Sequence, residues 1–283
     1  MYLGAVVVTA AVIAPILFWT AQSLAIHPTF SFLRQFDFEV FFHRALLVTA
    51  ALFLWPLLRN LPVRTWQDLG LTRNPHRGRH LLFGIGAALI PMILCAVLLV
   101  GYNVYSLRAT FPLRPLALTI AAAAVVPVIE ETFFRGLVLG ILLRTGRITI
   151  AMLITSGLFS IVHFLKAPEG TSAEVTWGSG FRSIGHAFAH FSEPALVLAG
   201  FTTLLLIGWV LADSRVRTAS LWLSIGLHAG WITGNGVFNR IARREMILLP
   251  WIGRNLLIGI IPLVVICCSW IAVRVWLARE HRT

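Results

Sequence analysis

The chain has 283 residues, 58% of them hydrophobic, and only 23 basic and 11 acidic side chains, about half the charge density of an average soluble domain. That balance excludes a water-soluble fold of this size, a disordered chain and a coiled coil. The three cysteines, Cys95, Cys267 and Cys268, all fall inside apolar runs, which excludes a disulfide scaffold. The formal net charge of +12 is read as loop arginines that orient spans and meet anionic headgroups, not as a nucleic-acid surface.

Eight apolar stretches follow in chain order, at about 3–25, 40–58, 81–102, 115–140, 148–165, 195–212, 218–239 and 255–273, each near the length that crosses a bilayer. The first is too long for a signal-peptide core and lacks a basic stretch before it, so it reads as a transmembrane helix. Between the second and third lie Arg59, Arg64, Arg73, Arg77 and Arg79. The positive-inside rule places this connection, and with it both termini, in the cytoplasm. The same connection holds Trp66, Asp68, Leu69, Gly70 and Leu71, a mix that suits either a short interfacial helix or a plain loop. The Ala-rich run at 121–124 predicts close helix packing. In the longest polar stretch, 166–194, His186, His190 and Glu193 have a spacing open to metal binding, but an exposed or interfacial helix explains them more cheaply. The expectation is an all-α, polytopic membrane bundle of about eight transmembrane helices, forming a single transmembrane domain over residues 1–283.

An ionisable side chain inside a span costs several kcal/mol unless it is paired or faces a water-filled cavity. The fourth stretch concentrates such groups in VVPVIEETFFRGLVLG, with Glu130, Glu131 and Arg135. Glu131 and Arg135 are four residues apart and share a helix face, as an ion pair would require. Glu130 is turned about 100° away. One carboxylate thus reads as structural and the other as chemical. Pro127, one turn earlier, is expected to free the carbonyl of Ala123 and kink the helix.

Two histidines complete the argument. His163 ends the fifth span in SGLFSIVHFL, one turn after Phe159, and His228 lies within the seventh in LWLSIGLHAGWITGN. Counted from the arginines at their helix ends, Glu130, His163 and His228 lie about 21, 24 and 17 Å deep, so they could meet in one layer. Two readings fit. In one, Glu130 is the general base on a water that His163 also holds, and His228 hydrogen-bonds the developing oxyanion. In the other, the histidines and a glutamate bind zinc with a position left open for water.

The order EExxxR on one membrane helix, FxxxH on the next and a histidine on a later one resembles the CAAX protease and bacteriocin-processing family of intramembrane proteases. Glu130, Glu131 and Arg135 match the first motif, Phe159 and His163 the second, and His228 the start of the third. The core resemblance covers about residues 115–240, and the stretch from Asp68 to Leu71 is similar to a segment often seen ahead of it. The resemblance implies an endopeptidase that cleaves near the membrane-anchored end of a protein or peptide, inside the bilayer of the cell's inner membrane, with no nucleic-acid partner. It implies that the first glutamate and the FxxxH histidine activate water, while the third-motif histidine and an asparagine four residues later hold the oxyanion. Here position 232 is isoleucine, and the nearest asparagine is Asn235. Asn235 would either take over the role from a locally bent helix or cap the helix end. The departure keeps a second class of function open: a catalytically degraded relative acting as an immunity or scaffold protein. A transporter using the same Glu and His groups is the other non-enzymatic reading.

Overall fold

The computed structural model describes residues 2–59, 70, 74–164, 174–189, 194–253, 256 and 258–280. Each of the eight apolar stretches forms a helix: α1 (Tyr2–Leu24), α2 (Phe38–Arg59), α3 (Arg77–Gly101), α4 (Leu113–Glu131), α6 (Ile148–Phe164), α8 (Pro194–Thr218), α9 (Trp222–Ile241) and α10 (Ile260–Glu280). Helix α4 continues through a π-helical turn, Thr132–Val138, into the short α5 (Leu139–Leu143), and α7 (Ser179–Ala189) lies in the polar stretch. Among the described residues five spans are long and apolar enough to cross a membrane: Gly4–Leu24, Arg77–Gly101, Leu113–Leu143, Val197–Thr218 and Ile260–Glu280. The protein is an integral membrane protein with an all-α, polytopic fold. Leu82, Ile90, Ile93, Val97 and Leu98 of α3 are exposed, as lipid-facing side chains are, while the backbone groups behind them are satisfied within the helix.

Not every helix turns an apolar face outward. Helix α9 carries His228, Asn235, Asn239 and Arg240, and its segment from Leu223 to His228 is buried. It is an inner helix packed by its neighbours.

The described residues form two compact units, the first from Met1–Arg64 and Ile161–Val197, the second from Thr65–Ser160 and Leu198–Thr283. In the first, Ala10, Ala11 and Ala14 of α1 pack against Phe38, Phe42 and Ala45 of α2. Small residues on one helix let large ones on the other approach closely, which is how membrane helices gain packing without a hydrophobic driving force. Thr49 Oγ1 donates to the Ala45 carbonyl at 2.7 Å, satisfying a buried hydroxyl within its own helix. Helix α7 packs on α1 with Ser179 and Ser183 buried. It confirms a helix at His186, while His190 and Glu193 lie outside the described residues.

In the second unit α3 and α9 approach backbone to backbone. A Cβ on Gly84 would stand 2.6 Å from the Leu223 carbonyl oxygen, and one on Gly226 would overlap the Leu81 carbonyl. Replacing Gly226 by alanine is therefore expected to force the helices apart and to cost about 1–3 kcal/mol. Gly86→Ala, with nothing within 4 Å of its Cβ, should leave the thermal midpoint in detergent unchanged or raise it.

Helix α4 runs antiparallel to α9, with Thr119 beside Gly236 at one end and Glu131 bonded to His228 at the other. Asp213 of α8 is tied to α10 by Trp270 Nε1 at 2.8 Å and Arg274 at 3.3 Å, and pairs with Arg217 at 2.9 Å. Between α3 and α4, β1 (Tyr105–Leu107) pairs antiparallel with β2 (Ala242–Arg244), which follows α9. Apolar periodicity gives no hint of this ribbon. Of the Trp66–Leu71 segment only Gly70 is described. Its φ of +78° suits glycine, and its carbonyl accepts the Leu221 N–H at 3.1 Å, capping the turn into α9.

Candidate active site

The polar site of the second unit begins with a change of winding. Helix α4 passes through Pro127 and turns π-helical only at Thr132–Val138, so the irregularity falls five residues beyond the proline expected to cause it. A π turn adds a residue to the helical circuit, and such bulges concentrate at functional sites. Thr132 Oγ1 donates to the Val128 carbonyl at 2.6 Å, back across the junction.

Arg135 stands within this turn and is fully buried. One guanidinium nitrogen donates to Glu131 Oε1 at 3.0 Å and the other to the Gly208 carbonyl of α8 at 3.2 Å. The guanidinium carbon lies 4.4 Å from the Phe159 ring centre and 5.7 Å from that of Phe134, geometry suited to cation–π attraction. The Glu131–Arg135 pair expected from the spacing is present, and the charge is further held by a backbone dipole and two aromatic faces. Gly208 and Phe134 were not legible as parts of the site. A carbonyl carries no sequence signal, although a Cβ on Gly208 would stand 2.9 Å from Ser156, so glycine allows the close approach there.

His228 Nδ1 lies 2.8 Å from the same Glu131 oxygen. That oxygen also accepts from Arg135, and with Nδ1 protonated the imidazole donates to it as well. This fixes the ring and turns Nε2 toward Glu130, whose Oε2 lies 3.8 Å away, beyond direct hydrogen-bond length. Phe159 closes the ring from the side, edge to face at 5.9 Å.

The sequence-derived residues thus separate. Glu130, Glu131, Arg135 and His228 converge in the second unit. His163 stands four residues beyond Phe159 on α6, half-buried, and belongs to the first. Asn235 lies seven residues beyond His228, about 10 Å along the axis, and its Oδ1 accepts from Asn239 Nδ2 at 3.0 Å. Helix α9 continues to Ile241, so Asn235 is not a cap. The zinc reading needs three protein ligands. Glu130 and the Nε2 of His228 approach each other while Glu131 is taken up by Arg135 and His228, and among the described residues no group of three suitable donors occurs.

No curated protein and no solved structure matches the chain. A family model does, the one described as type II CAAX prenyl endopeptidase Rce1-like, over residues 112–233. The match takes in Glu130, Glu131, Arg135, Phe159, His163 and His228 and ends two residues before Asn235. Over residues 112–233, less than half of its length, this membrane protein is similar to the Rce1-like type II CAAX prenyl endopeptidase family.

Proposed function

We propose that the chain is an intramembrane endopeptidase of the CAAX-processing type, hydrolysing a peptide bond near the membrane-anchored end of a protein or peptide. The observation that carries this reading is the hydrogen bond from His228 to Glu131, which leaves Nε2 facing the second carboxylate, Glu130, at 3.8 Å. A gap of that size between two polar atoms invites a bound water or substrate oxygen.

In this mechanism Glu130 takes a proton from water, and the hydroxide adds to the scissile carbonyl. The oxyanion that forms accepts a hydrogen bond from the Nε2–H of the His228 imidazolium, which keeps its proton throughout. The proton held by Glu130 then passes to the leaving nitrogen as the C–N bond breaks, and Glu130 is regenerated. Glu131 and Arg135 position His228 and do not touch the substrate. His163 enters on the FxxxH spacing and the family likeness, as second holder of the water. Asn235 is assigned the substrate chain away from the cleavage point. Its 10 Å offset corresponds to about three residues of extended peptide, so Asn235→Ala should raise KM and leave kcat nearly unchanged.

A second reading, a degraded relative that binds but does not cleave, is favoured by Ile232 standing where the family pattern has asparagine. The experiment that decides is incubation of the full chain in lipid with a peptide bearing a C-terminal membrane anchor, with products read by mass. The proposal predicts one cleavage near the anchor, slowed by His163→Ala and indifferent to chelators. Binding without cleavage would favour the degraded relative, and loss with chelator and recovery with zinc would overturn the metal-free mechanism.

A further inference from the structure

We infer that the chain holds an anionic phospholipid in a groove of its own, on the opposite half of the second unit from the carboxylates. An open, apolar cavity of about 720 Å³ lies between the C-terminal half of α3 and the N-terminal half of α10. Pro91 and Leu98 line one wall and Val264 and Cys268 the other, Tyr102 and Trp251 stand at the mouth, and among the described residues no charged side chain contributes to the lining.

Its length is informative. From Pro91 to Tyr102 is about 16 Å along the helix, roughly half of the ~30 Å hydrocarbon core of a bilayer. The groove therefore runs the depth of one leaflet and ends where headgroups begin. Tyr102 and Trp251 are 78% and 56% exposed there, in keeping with the aromatic belt at a membrane interface. A single hydrocarbon chain entering from that leaflet fits the shape.

Charge selects the headgroup. Val104 lines the groove and leads directly into β1. The ribbon sets Arg243 and Arg244 opposite Ser106 and Tyr105, and the Arg108 Nε donates to the Ala242 carbonyl at 3.4 Å. Residues 102–114 and 240–253 carry Arg108, Arg114, Arg240, Arg243 and Arg244, against Glu245 as the sole acid. Glu245 is shared between Ser106 and Arg243. An excess of arginine beside the mouth of an apolar groove matches a phosphate whose acyl chain lies within it.

The groove and the carboxylate site are independent. His228 lies thirteen residues before the end of α9 at Ile241, about 20 Å from the ribbon and beyond the groove's inner end. A lipid held here would steady α3 against α10 without entering the reaction, and the inference does not rest on the proposed activity.

The test uses the full chain in phosphatidylcholine nanodiscs doped with acyl-brominated phosphatidylglycerol or acyl-brominated phosphatidylcholine. Quenching of Trp251 is read as the difference between wild type and Trp251→Phe. Phosphatidylglycerol is expected to quench at a mole fraction about 25-fold lower than phosphatidylcholine. Arg243→Gln with Arg244→Gln should abolish that preference, each arginine contributing roughly fivefold. Val264→Phe, which fills the groove, should weaken quenching by both lipids, and Leu98→Phe serves if that variant loses its helical circular dichroism. Equal quenching by the two lipids in wild type, or full quenching in a folded, filled variant, would overturn the inference. So would a farnesylated peptide that displaces the brominated lipid and resists phosphatidylglycerol, since the groove would then belong to a substrate chain.

Discussion

Arg135→Met should destabilise the protein by about 3–5 kcal/mol, the cost of leaving a buried carboxylate without its cation. Glu131 and Arg135 are both fully buried, so water cannot take over for either. The loss should appear as a lowered thermal midpoint in detergent and a fall in monodisperse yield. The double variant Glu131→Gln with Arg135→Met should recover much of it, because glutamine's carbonyl can still accept the His228 Nδ1 proton and no charge is left alone. Failure of the second change to rescue the first would mean that Arg135 matters through its packing on Phe159 and its bond to Gly208. Discrimination is clean because glutamine preserves shape while removing charge.

The next largest effect is expected at His228. In the proposed mechanism its Nε2 proton meets charge only as the tetrahedral intermediate forms, so removing it should lower kcat by about 10²–10³ with little change in KM. His228→Ala tests this directly. His228→Gln, which restores an N–H donor near the position of Nε2, should recover part of the rate. Pre-steady-state cleavage of an anchored peptide separates the two variants, and a rise in KM with kcat intact would instead place His228 in substrate binding. Stability should fall less than for Arg135→Met, since Glu131 keeps its arginine.

Much of this was legible from spacing and depth. Costly charge in an apolar span singled out Glu130, Glu131 and Arg135, and helical periodicity put Glu131 and Arg135 on one face, where the 3.0 Å pair is found. Counting residues from the helix ends brought Glu130, His163 and His228 to one layer; Glu130 and His228 approach to 3.8 Å, whereas His163 belongs to the first unit. The link between His228 and Glu131 was not legible. The spacing assigned Glu131 to Arg135 alone, and no local pattern reports that a histidine ninety-seven residues away shares the same oxygen. The π turn was missed because the visible helix breaker is Pro127, whereas the turn lies at Thr132–Val138, around Arg135, where no residue type announces it. The β1–β2 ribbon was missed because its three-residue strands are too short to show alternation. The cluster on α9 beyond His228 illustrates the limit of face arguments: Asn235 shares a face with His228, yet it bonds to Asn239.

The central claim is that Glu130 activates the water, and the most direct measurement is single-turnover cleavage of a membrane-anchored peptide by the full chain in a bilayer, wild type against Glu130→Gln. Glutamine keeps the volume and a hydrogen-bonding carbonyl while removing the base. The account predicts cleavage slower by about 10²–10⁴, with the thermal midpoint unchanged within error. Undiminished cleavage by Glu130→Gln would contradict it.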